Sequence, residues 1–278
     1  MSDRAGSDLA GVGSAELLER ALVVGDPEDD RWWRTVTELQ HRTDRGTFDA
    51  VAALVDSADA TTRLLAVDVL SQYGYAHEKP FLEEALPLFA AACGDSDPRV
   101  VASAIGGFGH HYDPRGLPFV LPHAGSEDRG IRFSAAVALA TIAGEPPAGE
   151  AVDALVRLST DPEDMVRDWA VFGLGTQLDI DTPAVRDALS ARLDDHDPET
   201  AAEAAMGLAR RGDVRAVAAL HTMLADDPST LAIEAATVLG SPEFLPALRA
   251  LRDDAGAAES WYIATLDDAI SACTPATS

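Results

Sequence analysis

An internal repeat constrains the fold of this chain more than any other feature. Its template is an apolar residue, often followed by Arg, with Ala four positions later, Leu eight positions later and then Gly. The best-formed copy runs from Val166 to Gly175, with Ala170 and Leu174 at the two fixed positions. The Ala position, or its nearest equivalent, recurs at residues 35, 66, 104, 135, 170, 204, 235 and 264. Successive copies lie 29 to 38 residues apart, which is the spacing of helical-hairpin repeats.

Helix geometry explains why these residue types recur. The apolar residue, the Ala and the Leu lie on one face of a helix, and the small Ala lets that helix approach a neighbour closely. A second stretch with apolar residues three and four apart precedes most copies, which predicts a helical hairpin. One hairpin cannot bury its own apolar face, so an array of hairpins is expected. These preceding stretches include residues 48–55, 81–93, 152–158, 185–193, 214–224 and 244–251.

Acidic turns separate the two helices of several hairpins. Asp caps helices and Pro fits only the first helical turn, so an Asp-Pro pair predicts a helix start. Other capping residues open the preceding helices. The Asp-Pro pairs begin at Asp97, Asp161, Asp197 and Asp227, and the predicted caps are Thr47, Thr182, Asp213 and Ser241.

The template with its Asp-Pro turn resembles HEAT repeats, specifically the short bacterial form named after phycobilisome-lyase subunits. The resemblance runs from about Asp26 to the C-terminus. It departs from the pattern where Ala201 and Ala232 replace the usual Arg, and where Asp59-Ala60 lacks the Pro. The resemblance implies an all-α fold, a right-handed α–α superhelix of about seven to eight hairpins. We expect a single repeat domain at 14–272 between disordered tails at 1–13 and 273–278.

The charge of the chain bears on its partners. The formal net charge is −26 and the sequence pI is about 4.4. Such a surface repels phosphate backbones and anionic membranes, so neither nucleic acid nor membrane is an expected partner. Lys79 is the only lysine, which we interpret as the compositional bias of a bacterial genome. With no signal-peptide pattern, no long apolar run and two distant cysteines, Cys93 and Cys273, a cytoplasmic location is expected.

Positions two and six of the template fall opposite the core, on the surface that stacked repeats use for binding. This row is unusually apolar for an exposed surface and carries a few carboxylates, a pattern typical of protein-binding surfaces. Tighter packing between repeats is the alternative interpretation. The predicted partner-binding residues are Asp68, Phe133, Val137, Asp168, Phe172 and Met206. The expected partner is another protein with a basic or apolar docking surface.

The template arginines and the paired histidines are interpreted as structural residues. Arg63, Arg132 and Arg167 are expected to bridge to Asp residues of neighbouring turns rather than to bind anions. His110-His111 are expected in a solvent-facing loop, because adjacent histidines do not readily share one metal ion and no third ligand is near.

No catalytic residues, metal or cofactor are predicted, and no phosphate loop or nucleophile motif is present. A non-catalytic scaffold or adaptor is therefore the favoured function. The alternative is an enzyme on the same fold. It would resemble the bilin lyases that share this repeat or, less well, the HEAT-like DNA glycosylases, whose groove must be basic.

Overall fold

The computed structural model describes residues 9, 11–75, 77–226, 228–256 and 259–275, and the regular elements within these ranges are all helical. There are sixteen α-helices in the described residues. They are α1 (Ser14–Val24), α2 (Asp30–Gln40), α3 (Arg45–Ala52), α4 (Ala60–Ser71), α5 (Leu82–Ala92), α6 (Pro98–His111), α7 (Leu117–Val120), α8 (Arg129–Ile142), α9 (Gly149–Leu158), α10 (Asp164–Phe172), α11 (Pro183–Ser190), α12 (Pro198–Arg210), α13 (Ala216–Asp226), α14 (Thr230–Leu239), α15 (Leu245–Asp254) and α16 (Ser260–Cys273).

The helices alternate as the repeat predicts. All eight Ala-type positions of the template lie in even-numbered helices, which we call B helices, and each B helix follows an odd-numbered A helix. The fixed Ala and Leu of the template are fully buried at Ala170 and Leu174. The template therefore encodes the buried face of the B helices.

The chain forms two compact units, one up to Ile142 and one from Ala143. In unit 1 the B helices α2, α4, α6 and α8 pack in sequence against one another, and A helices pack beside them. In unit 2 the B helices α10, α12, α14 and α16 form a corresponding row. Each unit buries its own apolar core, which includes Phe89 and Phe108 in unit 1, and Leu155 and Phe244 in unit 2. The predicted domain limits and tails stay predictions, and residues 1–8, 10 and 276–278 lie outside the described residues.

The fourth hairpin has the shortest A helix. Its single turn, α7, lies between two 3₁₀ turns, Pro114–Gly116 and Leu121–Gly125. Prolines at 114, 118 and 122 remove one backbone N–H per turn, so a regular helix of ordinary length cannot form there. Leu117 and Val120 still supply buried side chains to unit 1.

Three of the predicted helix starts are confirmed. The carboxylates of Asp97 and Asp197 cap α6 and α12 by accepting from the backbone N–H groups of Arg99 and Thr200. The Thr182 hydroxyl caps α11. The predicted start at Asp161 is wrong, because α10 begins at Asp164 with Glu163 at its cap position. The predicted cap at Thr47 is wrong, because Asp44 occupies the cap position of α3 and accepts from the Thr47 N–H. The predicted turn at Asp227 lies outside the described residues.

Two of the three template arginines, Arg63 and Arg167, bridge neighbouring repeats as predicted. Arg132 donates to the carbonyl oxygens of Ser126 and Glu127 in the turn before its helix, and its bridge to a neighbouring Asp stays a prediction. In unit 1 the Arg63 Nε donates to Asp95 Oδ2 at 2.7 Å, and Nη2 donates to Asp95 Oδ1 at 2.8 Å. In unit 2 Arg167 makes the same paired contact with Asp195, at 3.0 and 2.7 Å. Both arginines also donate to backbone carbonyls of the preceding turn, so each connects two turns. These arginines are structural.

Candidate functional site

Two of the predicted partner-binding residues are not exposed. Asp68 is 5% exposed, and its carboxylate accepts from Trp32 Nε1 at 3.1 Å and from Ser103 Oγ at 2.6 Å. Met206 is 8% exposed on α12. The expectation that both line an exposed face is wrong, because neighbouring B helices pack close enough to cover these positions. Asp68 instead ties α2, α4 and α6 together.

The other four predicted residues remain partly accessible. Phe133 and Val137 lie one helical turn apart on α8 of unit 1 and are half-buried. Asp168 and Phe172 lie one turn apart on α10 of unit 2 and are half-buried. The Phe172 ring packs edge-on against Trp169, with 5.5 Å between ring centroids. Their role in partner binding stays a prediction.

A groove of about 660 Å³ runs along unit 2 beside Asp168. Its walls come from the first turn of α12, the end of α13 and the start of α14. Apolar side chains, among them Met223 and Leu231, line part of it. Its carboxylates belong to Asp168, Asp195, Glu199, Glu203 and Asp226.

Asp168 and Glu203 differ from ordinary surface carboxylates. Burial raises the pKa of Asp168 to about 6, and the charges of Asp197 and Glu199 act in the same direction. Burial also raises the pKa of Glu203 to about 7, and Asp168 raises it further. Among the described residues, the Thr176 hydroxyl favours ionised Glu203, because it donates to Oε2 at 3.3 Å.

The basic side chains around the groove have other partners. Asp195 is held by Arg167 and contacts Arg192. Arg210, at the end of α12, donates to the Thr176 carbonyl oxygen at 2.7 Å. No basic group contributes to the pKa of Asp168 or Glu203 in the part of the chain that the structure describes. The two carboxylates are therefore desolvated without a counter-cation, an arrangement that favours binding of an external cation.

Sequence reasoning missed Glu199 and Glu203. Both lie on α12, one helical turn apart. The signal was present, because four-residue spacing places two carboxylates on the same helix face. The helical wheel of the template places positions two and six opposite the core, whereas Glu203 is at position three.

The paired histidines are placed differently from the prediction. His110 and His111 form the last turn of α6 rather than a loop. His111 is 6% exposed and stacks on Phe89 with 5.8 Å between ring centroids. Burial lowers the pKa of His111 to about 4, so the ring is neutral at physiological pH. Within the described residues, no group of three or more His, Cys, Asp or Glu side chains is arranged to hold a metal ion.

The described helices include none that is both long enough and apolar enough to cross a membrane.

No curated protein is similar enough in sequence to count as a relative.

Solved structures show the fold. YibA of Escherichia coli is 21% identical, with a TM-score of 0.74 over 96% of this chain and 95% of YibA. Kap121p bound to Pho4p is 14% identical, with a TM-score of 0.66 over 96% of this chain and 36% of Kap121p. Importin beta is 14% identical, with a TM-score of 0.54 over 94% of this chain and 41% of importin beta. These likenesses confirm the predicted all-α solenoid fold class.

The family is shown by the sequence. The model of HEAT repeats matches residues 85–175 and 151–240, which together cover more than half of the chain. The phycobilisome-lyase subtype stays a prediction. The chain therefore belongs to the HEAT-repeat family.

Proposed function

We propose that this protein is a non-catalytic scaffold or adaptor that binds a partner protein, and that the groove of unit 2 receives a segment of the partner bearing Arg or Lys beside apolar residues. The observation that carries the proposal is the pair of half-buried carboxylates, Asp168 and Glu203, which lack a counter-cation next to an apolar lining. A cytoplasmic location and a bacterial source belong to the same proposal.

The energetics favour a cationic ligand. A guanidinium between two carboxylates forms charge-assisted hydrogen bonds, each contributing about 1.5–3 kcal/mol. It also offsets the desolvation that raises both pKa values. Phe172, one turn beyond Asp168, provides apolar area for the neighbouring side chain of the partner. Such a combination of an aromatic anchor and desolvated charges is typical of the residues that dominate binding energy. Phe133 and Val137 extend the proposal to unit 1.

A peptide array tests the proposal. Peptides of about twelve residues, varied in Arg, Lys, Glu and Leu content, are probed with the wild-type protein and with Asp168→Asn/Glu203→Gln. We expect the wild type to select peptides that combine Arg or Lys with apolar residues, and the double variant to lose at least tenfold in affinity for them.

A matched control removes the same charge elsewhere in unit 2. Asp253 and Asp254 are exposed at the end of α15. Asp253→Asn/Asp254→Asn should keep the selectivity and the affinity. Equal losses in both double variants would show that net charge alone attracts the peptides, and a lack of preference for basic residues would contradict the proposed ligand.

An enzyme is the second candidate, favoured by the same two carboxyls. A carboxyl whose pKa lies near neutrality is suited to general acid–base catalysis. The acidic groove opposes a DNA substrate, which leaves the lyase-like alternative. A coloured covalent adduct after mixing with a bilin, lost in Glu203→Gln, would favour the enzyme over the scaffold.

A further inference from the structure

Lys79, the single lysine of the chain, is held in an unusual environment in unit 1. It lies in the connection between α4 and α5. Its Nζ is 5.1 Å from the ring centroid of Tyr75 and 5.8 Å from that of Tyr112, and it donates to the His111 carbonyl oxygen at 3.3 Å. The amine therefore connects the α4–α5 connection to the C-terminal end of α6.

The backbone on both sides of this contact is strained. Lys79 has a φ of 48° and Tyr112 has a φ of 56°, and in the described ranges these are the non-glycine residues with left-handed backbone. This conformation costs an L-residue about 1–2 kcal/mol. Strain of this kind persists where the surroundings impose it, and it is enriched at functional sites. Here both strained residues meet in one cation–π contact.

Lys79 also differs from the arginines in its partners. Most arginines of the described residues contact a carboxylate, as Arg63 and Arg115 do. No carboxylate of the described residues forms an ion pair with Lys79, although the chain has a net charge of −26. The amine relies on two aromatic rings and one carbonyl oxygen, which hold an ammonium less firmly than a carboxylate does.

The Lys79 side chain borders an open cavity. Lys79 is half-buried, and it lines an open cavity of about 880 Å³ together with Thr43, Tyr75, His77 and Glu78. Tyr75 and Tyr112 are about half exposed, at 49% and 58%. A small reagent can therefore reach Nζ without unfolding of unit 1.

We propose that Lys79 is an acylation site for small acyl donors, such as acyl phosphates and acyl thioesters, and that acylation releases the α4–α5 connection from the end of α6. The Nζ lone pair attacks the carbonyl carbon of the donor and forms a C–N bond. The bond from that carbon to the phosphate oxygen or thioester sulfur breaks, and the leaving group takes the electron pair. The surplus proton on nitrogen passes to solvent. The product amide is neutral, so both cation–π contacts are lost.

The electrostatics support this chemistry. Only the unprotonated amine is nucleophilic, and about 0.1% of an ordinary lysine is unprotonated at pH 7.5. Burial lowers the pKa of Lys79, which enlarges that fraction, and the negative charge of Asp113 opposes the change only in part. The Lys79 site is formed by residues other than those of the partner groove, so either proposal can be contradicted without affecting the other.

The first test measures acylation rates. The full-length protein and a synthetic peptide of residues 73–85 are mixed in one tube with acetyl phosphate at pH 7.5, and acetylation of the single lysine in each is followed by mass spectrometry. The peptide holds the local sequence constant. We expect Lys79 of the folded protein to react faster than the peptide lysine, since burial lowers its pKa. An equal or slower rate overturns the proposed site.

The second test examines the release. Lys79→Gln mimics the neutral acylated side chain, and Lys79→Arg keeps a cation that can stack on tyrosine rings. We expect amide hydrogen exchange in the α4–α5 connection and the last turn of α6 to be about tenfold faster in Lys79→Gln than in the wild type, and unchanged in Lys79→Arg. If both variants exchange at the wild-type rate, the release is contradicted even where the acylation is observed.

Discussion

Asp68 in unit 1 and Asp168 in unit 2 both lie on B helices, and burial raises the pKa of each to about 6. Their surroundings differ. Asp68 accepts hydrogen bonds from Trp32 and Ser103 and is closed off from solvent. Asp168 lines an open groove, and the charges nearest to it belong to other carboxylates. Unit 1 thus satisfies its buried carboxylate internally, whereas unit 2 leaves one available to a ligand.

A raised pKa does not by itself distinguish a structural carboxyl from a binding one. The distinction depends on whether the fold supplies hydrogen-bond donors. The two units also differ in how closely their B helices approach and in how deeply their Arg–Asp bridges are buried. Substitutions at equivalent positions of the two units test both differences.

The largest expected effect concerns the Arg–Asp bridges. The side chains of Arg167 and Asp195 are 4% and 3% exposed, against 14% and 11% for Arg63 and Asp95. We expect Arg167→Met to lower the free energy of unfolding by about 3–5 kcal/mol, because it leaves a buried carboxylate poorly compensated. Arg63→Met should cost about 2 kcal/mol. Urea denaturation of the two variants measures the difference, and equal costs would show that burial does not separate the two bridges.

The next largest effect on stability is expected where two backbone segments pack closely. A Cβ added at Gly207 of α12 would lie 2.7 Å from the Gly175 Cα, so the backbone would have to move. At the equivalent junction of unit 1, the partner of Gly109 is already an alanine, Ala138. We expect Gly207→Ala to destabilise the protein by about 2–3 kcal/mol. Thermal denaturation checks this value.

The control for that prediction is Gly106→Ala on α6. A Cβ there would meet only the tip of His110, at 3.9 Å. We expect this variant to be neutral or more stable by up to about 1 kcal/mol, because Ala favours the helix. Destabilisation by both variants would indicate that close backbone approach is not specific to the contact between α12 and the turn that follows α10.

The fold could be predicted from the sequence because period, turn chemistry and helix pattern all indicate the same structure. Ala66, Ala170 and Ala235 lie where the template places them, fully buried on B helices. The candidate site was predictable only in part. Position on a helical wheel gave the side of the helix for Asp68 and Asp168 alike, but it could not show that Trp32 and Ser103, each about 35 residues away, cover one of them.

An effect of similar size is expected from the pH dependence of Asp68. Its pKa in the folded state, about 6, exceeds the ordinary value of 3.8. Folding therefore favours protonated Asp68. The stability that protonated Asp68 contributes is fully present below pH 4 and is lost as the pH rises towards 6. Between pH 4 and 7.5, the stability of Asp68→Asn relative to wild type should shift in favour of the variant by about 2–3 kcal/mol. Denaturation at the two pH values measures the shift, and a pH-independent difference would contradict the raised pKa.

The smallest effect is a change in the pKa of Glu203, which is a neighbour of Asp168. It distinguishes Asp168 from Asp68 most directly. Asp168 raises the pKa of Glu203, so Asp168→Asn should lower that pKa from its value of about 7 towards the usual range of a glutamate. Carbon-13 NMR titration of the glutamate carboxyl carbons reads this change site by site. Asp68→Asn, which removes a carboxyl of the same raised pKa in unit 1, should leave the Glu203 titration unchanged. If Glu203 titrates identically in wild type and Asp168→Asn, the two groove carboxylates are not coupled, and a single cation bridging them loses its electrostatic basis.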